Sequence, residues 1–78
     1  MPFINIKVLK GTLSEEKKSE MIKRVSETVA EIEASPSPKD SLLGYTWCVL
    51  EEVEFDHWGI GGNAVTPEIL QAVIEGKT

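Results

Sequence analysis

Cysteine, histidine and basic clusters are all scarce in this chain, and each shortage removes a class of function. A single cysteine, Cys48, rules out an internal disulfide framework. With one histidine beside it in the whole sequence, no Cys/His cluster spells a metal site, and no cofactor motif is present. Eight basic residues against 13 acidic ones leave a net charge of −5. The only basic grouping, Lys17, Lys18, Lys23 and Arg24, is too sparse for a phosphate backbone, so nucleic acid is not an expected partner. No apolar run nears the roughly 18 residues of a membrane span, and the amino terminus has no apolar leader. Together with the lone thiol, this predicts a cytoplasmic protein that is not membrane-bound.

What is present is an ordinary globular composition, 41% hydrophobic and 27% charged, in 78 residues. That length makes one domain, residues 1–78. A chain so short buries only about 60% of the surface its unfolded form exposes. Without disulfide or metal to supplement the core, self-association is the expected remedy.

The order of elements is legible from periodicity. Phe3–Leu9 alternates, with Asn5 and Lys7 on one face and Ile4, Ile6 and Val8 on the other, so a strand is predicted. Gly11 ends it. Thr12 with Glu15 has capping-box spacing, and Ser14 before Glu15 and Glu16 is an alternative cap. Met21, Ile22, Val25, Val29 and Ile32 then recur at three- and four-residue steps, the apolar stripe of a helix running to about Glu33. Residues 34–44, with two prolines and a closing glycine, read as a loop containing a short turn. Residues 45–52, YTWCVLEE, form a second strand of nearly continuous apolar character, as if covered on both faces. Strand, helix and strand in that order suggest a parallel pair. Three glycines between Trp58 and Asn63 suit a tight hairpin, and Thr66-Pro67-Glu68 opens a short terminal helix. The fold class is therefore α+β, a β-α-β unit with a C-terminal hairpin and a short helix.

Pro2 is the sharpest chemical feature. A small second residue permits removal of Met1, which would leave a secondary amine at the head of a strand. An α-amino group titrates near 7.7 to 8.0, and apolar surroundings lower that value, so the amine is a base at neutral pH. Retention of Met1 would turn it into a non-basic amide. Many chains begin Met-Pro for no catalytic reason, and Pro2 taken by itself decides nothing.

Pro2 directly after the methionine, the P-x-I-x-I-x-x-L-x-G run from Pro2 to Gly11, and the aromatic-Gly-Ile-Gly-Gly segment from Trp58 to Gly62 together resemble the 4-oxalocrotonate tautomerase family. The resemblance covers most of the chain. It implies a β-α-β subunit that pairs into dimers and assembles further into hexamers. It also implies an amino-terminal proline that shuttles a proton between oxygen and carbon of a small enol or α-keto acid. Carried onto this sequence, Pro2 is the catalytic base and Trp58 the pocket aromatic, with Leu9 and Ile60 as further candidate substrate-binding residues.

Two positions depart from the family pattern. Thr12 stands where an arginine follows the strand-ending glycine, and Trp47 aligns with a second arginine in the second strand. Neither replaces a bidentate guanidinium, which puts the usual dicarboxylate substrate in question. Trp47 and Trp58 are instead candidates for lining an apolar slot for an aromatic or neutral enol, the Trp47 indole N–H donating to a carbonyl oxygen, and Thr12 stays a candidate substrate-binding residue. Lys10 is a weaker anion-binding candidate. His57, Cys48 and the Glu51-Glu52 pair are read as non-catalytic, the two glutamates because neighbours on a strand face opposite ways. The alternatives left open are a related hydratase or decarboxylase and an inactive oligomeric scaffold of the same fold.

Overall fold

The computed structural model describes residues 1–76. Strand β1 spans Phe3–Leu9, and its alternation sets Ile4, Ile6 and Val8 inward while Phe3, Asn5 and Lys7 face out. Gly11, with φ of +80°, reverses the chain in a conformation that a Cβ would strain. Helix α1 covers Glu15–Ala34. Its N-cap is Ser14, whose hydroxyl accepts the Lys17 N–H at 3.1 Å, with Glu15 and Glu16 in the first turn. Of the two caps the sequence offers, Thr12 is occupied elsewhere, its hydroxyl donating to the Leu9 carbonyl at 2.7 Å.

The inner face of α1 buries Ser26 and Ala30. Met21, Ile22, Val25 and Val29 are half-buried around them. Ile32, expected on the same stripe, is 72% exposed. It lines an open groove with Ser35, Ser37, Pro38 and Lys39. A one-turn helix, α2 (Asp40–Leu43), docks back on α1, tied by the Lys39–Glu27 ion pair at 2.8 Å.

Strand β2 runs Trp47–Val53, two residues later than its composition suggests. The amides of Tyr45 and Thr46 close the preceding turn on the carbonyls of Leu42 and Leu43, at 2.8 and 3.2 Å, so neither is free for a ladder. β1 and β2 pair in parallel from Phe3 opposite Trp47 to Leu9 opposite Val53. The expectation that β2 is covered on both faces is corrected here. Cys48 and Leu50 turn inward, while Trp47 and Val49 lie on an outer face the chain itself leaves open.

Beyond a 3-10 turn at Phe55–His57, strands β3 (Gly59–Ile60) and β4 (Asn63–Ala64) form the expected hairpin. Gly61 and Gly62 both have positive φ, +61° and +87°, as a type I′ turn demands. Helix α3 (Pro67–Ile74) starts at Thr66, whose hydroxyl accepts the Ile69 N–H at 3.2 Å. Among the described residues, the buried hydrophobic set is only Leu9, Ala30 and Val65. The radius of gyration is 15.7 Å, against about 11 to 12 Å for a compact chain of this length. The unit extends 44 Å along its longest axis against 25 and 23 Å along the others, and Ile69, Val73 and Ile74 are left exposed.

Candidate active site

Pro2 leads into β1 and is half-buried, and the adjoining Met1 is 82% exposed. The sheet register positions its neighbours. The Trp47 N–H donates to the Pro2 carbonyl at 3.1 Å, so the first residue of β2 is anchored beside the proline. Phe3 lies opposite Trp47, their rings 6.5 Å apart at 46°. Both aromatic side chains remain more than 60% exposed, an unusual state for residues of that size. Phe3 and Trp47 thus form an exposed aromatic pair with a polar handle, the Trp47 indole N–H, and Pro2 adjoins it through its backbone carbonyl. Phe3 was not a candidate from the sequence, although its place at the strand head opposite an aromatic in a parallel pair is the signal that marks it.

The other candidate residues gather at the far end. Leu9 is buried at the close of β1, roughly 23 Å from Pro2 at the usual rise per residue. Thr12 comes next in the turn, its hydroxyl proton spent on the Leu9 carbonyl. Because the pair is parallel, β2 also ends here, with the Lys10 N–H donating to the Val53 carbonyl at 2.8 Å. Trp58 is half-buried at the foot of the hairpin, its carbonyl accepting the Val65 N–H at 2.8 Å, and Ile60 is exposed near the hairpin tip. Within one chain, then, Pro2 and Trp47 come together at the strand heads. Leu9 and Thr12 belong to the opposite end of the strands, and Trp58 and Ile60 to the hairpin beyond it.

Charge around that far end is paired. Glu52 accepts from Lys18 Nζ at 2.6 Å and, through its other oxygen, from the Gly11 N–H at 3.1 Å. The Lys18 bond, with the Gly11 amide second, holds the Glu52 carboxyl below its ordinary value, and Lys18 is raised in turn by Glu52 and then Glu15. Lys10 is raised by its 3.0 Å bond to Glu54. On the outer face, Asn5 donates to Glu51 at 2.6 Å and Lys7 at 3.2 Å, and these two bonds lower the Glu51 carboxyl. Glu51 and Glu52 therefore act on opposite faces of β2. His57 is exposed, 3.8 Å from an equally exposed Asp56. Among the described residues, no group of three His, Cys, Asp or Glu side chains converges to hold a metal ion. Two open grooves, one at the end of α1 and one of about 340 Å³ along Leu13, Met21 and Val25, are not lined by Pro2.

An open β-α-β unit with a proline at the head of its first strand and a separate C-terminal hairpin defines an α+β subunit of tautomerase type. Residues 2–68 match the family model described as tautomerase enzyme. The chain belongs to that family, whose members are enzymes of the isomerase type. It is 33% identical over 72 residues to probable tautomerase K2 of Dickeya dadantii, covering 92% of this chain and 98% of that protein. It is 36% identical over 69 residues to probable tautomerase BH3814 of Halalkalibacterium halodurans, 87% of this chain and all of that one. Among solved structures, a 4-oxalocrotonate tautomerase homologue superposes with a TM-score of 0.62 at 26% identity, covering 82% of this chain and 90% of its own. A 4-oxalocrotonate tautomerase isozyme of Methylibium petroleiphilum gives 0.60 at 30%, covering 81% and 90%.

Proposed function

We propose that this chain is a keto–enol tautomerase whose base is the secondary amine of Pro2, released on removal of Met1. The observation that carries the reading is the position of Pro2, half-buried at the head of β1, its carbonyl bonded to the Trp47 N–H and its neighbour Met1 exposed. Apolar neighbours disfavour the ammonium form, so the amine is neutral and able to accept a proton near pH 7. It takes the proton from the enol hydroxyl and returns it to carbon, and the Trp47 indole N–H steadies the carbonyl oxygen as it forms. The substrate is a small enol or α-keto acid with an aromatic or apolar body, matched to Phe3, Trp47 and Trp58.

The working unit in this reading is a homo-oligomer. A two-stranded sheet has an unpaired edge on each side. When two copies join like edges about a two-fold axis, the paired strands run antiparallel. The head of each strand then meets the tail of its mate, and Pro2 of one copy faces the Leu9–Thr12 end of the other. Three such dimers in a hexamer would cover the open faces carrying Phe3, Trp47 and Val49.

The test joins two measurements. The intact mass of the native protein is expected to fall short of the full sequence by one methionine. Pro2→Ala is expected to cut the rate on an aryl enol acid such as phenylenolpyruvate by at least about a hundredfold, the usual scale of acid–base catalysis. A retained methionine, or a rate indifferent to Pro2, selects the inactive scaffold instead, a reading that Thr12 and Trp47 at the arginine positions favour.

A further inference from the structure

A second carboxylate on a substrate anchored at Pro2 would have to be held at the far end of the slot, and the two cations there are already paired with carboxylates. Lys10 Nζ is bound to Glu54 at 3.0 Å. Lys18 Nζ, its side chain only 17% exposed, is held by Glu52 at 2.6 Å and Glu15 at 3.0 Å. The Gly11 N–H donates to Glu52, the Thr12 hydroxyl to the Leu9 carbonyl, and the Lys10 N–H to the Val53 carbonyl. Two cations, Lys10 and Lys18, face three carboxylates, Glu15, Glu52 and Glu54, so the turn carries one net negative charge.

We infer that Glu52 and Glu54 are specificity-determining residues that mask Lys18 and Lys10 and thereby turn away substrates bearing a second carboxylate. This rests on the tautomerase reading and on the pairing of Pro2 with the Leu9–Thr12 end of a second copy. An incoming carboxylate meets net like charge and cations already held by carboxylates, whereas an aryl or alkyl end carries no charge to be repelled. Glu52 has two tasks, since the oxygen that accepts from Gly11 also orients the turn presenting Thr12.

The experiment uses trans-3-hexenedioate and its monomethyl ester as competitive inhibitors of aryl enol turnover, with the native protein and with Glu54→Gln and Glu52→Gln. Glutamine keeps an oxygen for the Gly11 N–H while removing the charge. Either variant is expected to strengthen inhibition by the diacid about three- to fivefold, the range spanned by one exposed ion pair, and to leave the ester unchanged. The gain should shrink at high salt. A diacid-to-ester ratio that stays put, including no inhibition by either compound, overturns the masking role, as does an equal change for both. The two readings separate cleanly. If Pro2→Ala still abolishes turnover, a failed ratio removes only the masking. If Pro2→Ala leaves turnover intact, the tautomerase reading falls and the masking falls with it.

Discussion

Ser14 and Thr12 show how two similar hydroxyl side chains take different work according to where the backbone places them. Ser14 caps α1 through the Lys17 N–H, satisfying a donor that helix geometry leaves without a partner. Thr12 sits in the turn behind it and bonds a strand carbonyl. Ser14→Ala is therefore expected to cost about 1 kcal/mol, the usual value of a lost cap, and to lower the thermal midpoint by several degrees at fixed protein concentration. Thr12→Ala should cost half of that or less. A calorimetric ranking in the opposite order would show that Thr12 is the cap. Sequence spacing leaves the two caps equivalent, because a capping box and a plain N-cap share the same residue types. Only the path of the chain after Gly11 decides between them.

At the scale of elements, ion pairs fasten what the small core does not. Lys18 joins α1 to β2 through Glu52, Lys39 joins α2 to α1 through Glu27, and Lys10 joins the end of β1 to Glu54 beyond β2. Glu27, Glu51 and Glu52 all titrate below the ordinary carboxylate value of 4.5 in the folded chain, chiefly through bonds from Lys39, Asn5 and Lys18 in turn. Depressed acids give stability that is complete above their unfolded value and is lost as pH falls through the folded one. Lys10, Lys18 and Lys39 are raised above 10.5, so their share is present below that value and is lost as pH climbs past it. The thermal midpoint should thus be flat from about pH 6 to 9 and drop on the acid side below about 4.5. In Glu52→Gln the acid-side drop should be shallower. An acid arm identical to that of the native chain would mean that the Lys18–Glu52 pair contributes nothing to linkage.

For the whole molecule, the decisive fact is how little one chain encloses. With a buried hydrophobic set of Leu9, Ala30 and Val65 among the described residues, and Phe3, Trp47, Ile69, Val73 and Ile74 open to solvent, an isolated copy has too small a core to stand alone. Folding and assembly should therefore be one transition. Raising the concentration a hundredfold is expected to lift the thermal midpoint by several degrees, and sedimentation should find a single species larger than one chain. A midpoint independent of concentration, with a monomer in sedimentation, would mean that the exposed residues need no cover.

What the amino-acid sequence determined by itself is local. β1 spans the predicted Phe3–Leu9, the glycine-rich hairpin falls between Trp58 and Asn63, and Thr66-Pro67 starts α3, because alternation, turn glycines and caps act within a few residues. The placement of Pro2, and the absence of arginine at positions 12 and 47, were equally plain. The tertiary structure decided the rest. It trimmed β2 by binding the Tyr45 and Thr46 amides into a turn, bared the outer face of the sheet, and set Lys18 against Glu52 across 34 positions. It also parted Trp47 from Thr12, since parallel pairing sets the head of β2 beside the head of β1 and leaves Thr12 at the far end of both strands.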